Sequence, residues 1–151
     1  MLRLATREDE DRIFELLKHF FSQTEYAKED LDEEKVKGLI QTCIDPRVVE
    51  NVVLLWDVEG KVQGLVAGQW TEMVFNRERV ATELVWWVEP EYRKTEASAK
   101  LLSAFEAWAD WNGCARVQMY ALNNDYATIL HRYYQRWGYR LAELSYVKDI
   151  R

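Results

Sequence analysis

Apolar residues first recur at helical spacing, with Ile13, Leu16, Leu17 and Phe20 on one stripe, which predicts an amphipathic helix. Thr6 stands before it as an N-cap, and Glu8 and Asp9 suit the positive end of a helix. The short run 2–5 ahead of it reads as a first strand. Asp30 with Glu33 resembles a second helix start; Val36, Leu39, Ile40 and Cys43 would form its stripe, and Pro46 lies just past its end. The period then shortens. Residues 52–56 are β-rich, Glu59-Gly60 offers a turn, and 62–70 continue as a strand. Phe75-Asn76-Arg77 marks another turn before a strand over 80–88 that ends at Pro90. Helical spacing returns with Leu101, Leu102, Phe105 and Trp108, stopped by Gly113. Residues 116–121 read as a strand, 126–136 as a helix closed by Gly138, and 139–149 as one or two final strands.

The order β-α-α-β-β-β-α-β-α-β-β defines an α/β (α+β) fold. The step from 80–88 through the helix to 116–121 should be parallel and right-handed, and the hairpins before it antiparallel. The expectation is a mixed, mostly antiparallel sheet of six or seven strands flanked by four helices. At 151 residues, with two prolines and six glycines, the chain shows no linker or repeat and reads as one domain over 1–151.

Composition narrows the function classes. A formal charge of −6 disfavours a nucleic-acid partner and suits cationic ones such as amines or Lys side chains. Seven Trp, eight Tyr and five Phe exceed what a minimal core needs, so some should line a groove or an interface; a homodimer is compatible with this. Cys43 and Cys114 make no framework, and no Cys/His pair has metal-ligand spacing, so no metal site is expected. His19 and His131 stand alone and read as surface or capping residues. The start runs into Glu8-Asp9-Glu10-Asp11, which a signal peptide would not tolerate, and the run 52–56 is far short of a membrane span. These features imply a soluble chain of a reducing, cytoplasmic compartment.

The chemistry concentrates in 83–102. A buried strand ends at Pro90, a basic turn carrying Arg93 and Lys94 follows, and a helix begins. Backbone N–H groups of such a turn, with the helix N-terminus, form an anion site suited to a pyrophosphate.

This segment resembles the acetyl-CoA loop of the GNAT (general-control-related N-acetyltransferase) superfamily, written Gln/Arg-x-x-Gly-x-Gly/Ala. Arg93 matches its first position, Val88 and Pro90 the residues before it, and Leu101-Leu102 the apolar helix after it. Tyr133-Tyr134-Gln135-Arg136-Trp137-Gly138-Tyr139 is similar to the family's Tyr-x-x-x-Gly-Phe/Tyr signature. The flavour is that of the small acetyltransferases of bacteria and their phages, placing the chain in a bacterial cytoplasm or that of a phage host. Two positions depart from the pattern: Glu96 replaces the loop glycine and Ser98 its final small residue.

The resemblance implies acetyl transfer from acetyl-CoA to an amine by direct attack in a ternary complex. It assigns the pantetheine arm to the backbone of Trp86, Trp87 and Val88, in a gap between parted strands. The diphosphate falls to Arg93, Lys94, Thr95, Glu96, Ala97 and Ser98. Asn124, slightly upstream of the family's usual Asn, joins these coenzyme contacts. Glu83, a carboxylate in an otherwise apolar strand, is the candidate base, directly or through water. Tyr134 is the candidate acid for the departing thiolate. Phe21 and Tyr26, near the acidic run 29–34, would line the mouth for a small-molecule amine or a protein amine. The competing reading is an inactive interaction or inhibitor module on the same fold, anchored by tryptophans. Zipped strands with a Trp in the gap would favour the module; an open cleft would favour the enzyme.

Overall fold

The computed structural model describes residues 1–151. Its strands are β1 (Leu2–Leu4), β2 (Asn51–Val58), β3 (Lys61–Glu72), β4 (Arg79–Val88) and β5 (Cys114–Gln118). Its helices are α1 (Glu10–Phe21), α2 (Glu33–Ile44), α3 (Ala97–Trp111) and α4 (Ala127–Arg136). The chain forms two compact units, Met1–Met119, which holds the sheet and α1 to α3, and Tyr120–Arg151, which holds α4.

The sheet order is β1-β2-β3-β4-β5, antiparallel except for the parallel pair β4–β5. Alternation along the strands sorts two cores. Val52, Leu54, Val66, Ala81 and Val88 pack with Leu101 and Phe105 of α3. On the other face Val53, Leu55, Leu65 and Trp87 pack with Ile13 and Leu16 of α1 and Ile40 of α2. Burying each Leu or Ile side chain contributes about 1.5–3 kcal/mol, so the two cores fix the register of β3 and β4. Gly68 on β3 permits close approach, because a Cβ there would lie 2.3 Å from the Phe105 ring.

Local signals explain the boundaries. At the start of the chain the Asp9 carboxylate accepts the Thr6 N–H at 2.8 Å, while Arg3 binds both Asp9 (2.8 Å) and Asp57 (3.0 Å). The β2–β3 hairpin turns at Glu59 and Gly60, both at positive φ (52° and 82°), as a tight two-residue hairpin requires. Gly113, at φ 70°, ends α3 as its position suggested.

Several expectations need correction. The sheet has five strands, not six or seven, since residues 139–149 join no ladder. Leu141, Leu144, Tyr146 and Val147 there are exposed, so apolar and aromatic residues supplied strand propensity without a pairing partner. The strand after α3 runs over Cys114–Gln118 rather than 116–121. Asp32, not Asp30, caps α2, accepting the Lys35 N–H at 3.0 Å. Leu39 falls off the buried stripe and is 57% exposed.

Candidate active site

The sheet opens at β4. Ala67 of β3 faces Val85, but the next residue, Gly68, faces Glu83, so Leu84 is an extra residue and 44% exposed. Such a bulge bends its strand and increases the local twist. The consequence shows on the other edge. β4 pairs with β5 only over 79–82, and the last rung is Thr82 with Gln118. The β4–β5 ladder ends at that rung, and a strand edge beyond the end of a ladder can accept an extended guest. Trp86 and Trp87 pack in the cores on opposite faces of the sheet.

Beyond β4 the chain turns through Pro90–Tyr92 into α3. The Thr95 hydroxyl donates to the Tyr92 carbonyl (2.6 Å) and accepts the Ala97 N–H (3.2 Å). The ladder of α3 begins with the Lys100 N–H on the Glu96 carbonyl at 2.9 Å. The amides of Ser98 and Ala99 therefore belong to the orphan donors of a helix start, which favour an anion. Glu96 has an ordinary helical φ of −70°, so the backbone needs no glycine there, and its side chain is exposed beside exposed Lys94. Water screens a carboxylate so placed.

Arg93 ties the turn to the strand end. Its Nε donates to the Val88 carbonyl at 2.9 Å, and its guanidinium lies 4.6 Å over the Trp87 ring. Behind Trp87 sits Glu89, buried with 9% exposure. Its carboxylate accepts from Trp87 Nε1 at 3.3 Å, Arg12 at 3.4 Å and His19 Nδ1 at 2.8 Å. Phe20 meets Trp87 edge-on at 6.3 Å. Phe21 is half-buried, and Tyr26 is 46% exposed.

Within Tyr120–Arg151, the Tyr134 hydroxyl donates to the Tyr120 carbonyl at 2.7 Å, and its ring lies 5.5 Å from that of Tyr139. Asn124 accepts the Tyr126 N–H through its side-chain oxygen at 2.9 Å, a cap on the approach to α4.

A model of the Acetyltransferase (GNAT) family matches residues 10–139. The chain belongs to the GNAT acetyltransferase family. A search of curated proteins finds no match. Among solved structures, an acetyltransferase of Trypanosoma brucei is 17% identical with a TM-score of 0.76, covering 99% of each chain. Glucosamine-6-phosphate N-acetyltransferase from Arabidopsis thaliana is 13% identical with a TM-score of 0.78, covering 100% of this chain and 98% of that one. AAC(6')-Iy, in complex with the bisubstrate analog CoA-S-monomethyl-acetylneamine, is 14% identical with a TM-score of 0.75, covering 100% and 97%. At these identities the likeness establishes the fold.

GNAT acetyltransferases use acetyl-CoA, and the residues present fit it: the end of the β4–β5 ladder at Thr82 and Gln118 suits an amide-bearing arm, and orphan amides at the start of α3 suit a diphosphate. The inactive-module reading rested on Glu96, Ser98 and the excess of tryptophan; Glu96 is exposed, and the β4–β5 ladder ends at Thr82 and Gln118, the arrangement expected of the enzyme. Glu83 is 8% exposed and faces Gly68, whose own side packs on Phe105, so the register carries Glu83 on the face of α3. Sequence reasoning missed the Glu89 cluster. The available signal was the buried carboxylate in Val88-Glu89-Pro90 together with the charged Arg12 and His19 flanking the stripe of α1.

Proposed function

We propose that this protein transfers the acetyl group of acetyl-CoA to a primary amine by direct attack within a ternary complex. The observation that carries the reading is the parting of β4 from β5 beyond Thr82 and Gln118. When bound, the coenzyme supplies an activated thioester. The outward backbone groups of Trp86, Trp87 and Val88 hold and orient its arm, and an N–H of that edge polarises the carbonyl. The amides of Ser98 and Ala99 donate hydrogen bonds to the diphosphate, Lys94 at the mouth offsets part of its charge, and Asn124 adds a polar contact. Arg93 stiffens the strand end through Val88 and Trp87. Tyr134 donates a proton to the leaving sulfur, since a thiol of pKa about 8.5 leaves more easily with a donor beside it.

Phe21 and Tyr26 flank the acceptor. The exposed acidic residues Glu25, Glu29, Asp30 and Glu33 around them favour a cation. The amine-derived analog held by the similar AAC(6')-Iy supports an amine acceptor. Removing the proton of that amine needs a base; Glu83, buried on the α3 face, can serve only through water across the bulge. No helix is long and apolar enough to cross a membrane.

The test is calorimetric titration with acetyl-CoA, followed by thiol release with a panel of spermidine, a Lys peptide and an aminoglycoside. Micromolar binding and amine-dependent thiol release are expected. Absence of binding at millimolar coenzyme would overturn the reading.

A further inference from the structure

The α1 face of β4 carries a polar cluster that the proposed chemistry leaves unused. Glu89 is buried beneath α1 and engages three donors, of which the His19 ring is the nearest at 2.8 Å. A carboxylate only accepts, so His19 donates its Nδ1–H, and in the neutral ring Nε2 is then the nitrogen carrying the lone pair. The side chain of His19 is 44% exposed while that of Glu89 is 11% exposed, so the pair has an inner, fixed end and an outer, accessible one. Arg12 and Trp87 pin the carboxylate from other directions, and Arg12 is itself held by the Val62 carbonyl at 2.9 Å and Glu15 at 2.7 Å. Glu89 is therefore fixed in place before any ligand arrives. Through Trp87 the cluster reaches the strand edge assigned to the coenzyme, and through Phe20 and Phe21 it adjoins the segment carrying Tyr26. The opposite face of this strand is closed by α3, with Phe105 fully buried, and Glu83 lies on that side.

We propose that His19 is the proton acceptor for the amine, with Glu89 as the residue that sets its tautomer and orientation. This rests on the acetyltransferase reading above. As the amine nitrogen bonds to the acyl carbon, Nε2 of His19 takes the proton the nitrogen loses. The carbon–sulfur bond breaks with its electron pair on sulfur, which receives its proton from the acid assigned above. His19 becomes imidazolium beside the Glu89 carboxylate, which stabilises that charge, and returns the proton to solvent.

The discriminating variant is His19→Asn. The Asn amide can reproduce the inner N–H donor to Glu89 but has no outer base. Kinetics are measured with acetyl-CoA and whichever amine of the panel above turns over, with coenzyme affinity read separately by calorimetry. General-base removal at this level costs about 100- to 10,000-fold in rate. We expect His19→Asn to lose at least about 100-fold in kcat with coenzyme affinity within about twofold, and exogenous imidazole to restore part of it in His19→Ala. Long-range nitrogen–proton NMR should show Nδ1 protonated and Nε2 bare in the wild type, and Glu89→Gln should shift that balance. Near-wild-type turnover of His19→Asn, or loss of turnover confined to Glu83→Gln, would overturn the assignment while leaving the acetyltransferase reading intact. A wild-type protein that binds no coenzyme and turns over no amine would instead overturn the reading itself.

Discussion

Thr82 faces Gln118 at the last rung of the β4–β5 ladder, two residues before the extra residue Leu84 of the β3–β4 bulge. The place where β4 shifts its register with β3 thus adjoins the end of its ladder with β5. A bulge costs ladder bonds and persists only where the surrounding packing over-determines it. Here the packing is supplied from both faces, by Trp86 under α3 and Trp87 under α1.

That packing leaves no room at Gly68. A Cβ would meet the Phe105 ring at 2.3 Å and the Thr82 carbonyl at 2.9 Å. Overpacking of this kind costs about 1–3 kcal/mol. Gly68→Ala should therefore lower Tm by about 3–10 °C, checked by thermal unfolding followed by circular dichroism.

The start of the chain is held by charge. The Arg3 guanidinium bound to Asp9 keeps that carboxyl below the ordinary carboxylate value. A depressed folded-state value means the pair stabilises the fold above the unfolded value of about 3.9, and that contribution is lost as pH falls through the depressed one. Arg3 is partly exposed, so screening keeps the effect modest. Asp9→Asn should cost about 1–2 kcal/mol at pH 7 and flatten the stability profile below pH 4, measured by urea unfolding across pH.

Burial pushes the thiols of Cys43 and Cys114 up. Both should react with iodoacetamide more slowly at pH 7 than a free cysteine, and the rate should climb about tenfold per pH unit up to the raised value. Mass spectrometry of timed alkylation reads this for each cysteine.

The Tyr134 hydroxyl hydrogen-bonds to the Tyr120 carbonyl in the free protein and must exchange that partner for the leaving sulfur to act as the acid. Tyr134→Phe should leave acetyl-CoA affinity within about twofold and lower kcat at least about tenfold, the signature of a group needed in the transition state. An equal loss in affinity and turnover would assign the hydroxyl to binding.

The central architecture was legible because its signals are local and redundant. Glu59-Gly60, Gly113 and Gly138 mark the turns and helix ends at which the structure shows positive φ, and the stripe of α1 needed only its 3.6-residue period. The end of the chain was not, since Tyr139/Leu141 and Leu144/Tyr146 are each two apart as in a strand, yet a strand exists only with a partner. The turn after Arg93 could be read as an anion site from residue types alone. The face of Glu83 could not, because a one-residue bulge decides it. The His19–Glu89 pair joins residues 70 positions apart, a contact that no local pattern encodes.

The most direct measurement is amide hydrogen exchange across β4 and the start of α3, with and without acetyl-CoA. Amides of Leu84, Val85, Trp87 and Val88 that point away from β3, and those of Ser98 and Ala99, should exchange readily in the free protein and slow at least about tenfold with saturating coenzyme, while amides of 79–82 stay protected throughout. Unchanged exchange at 84–88 with millimolar acetyl-CoA present would contradict the claim that the parted strands receive it.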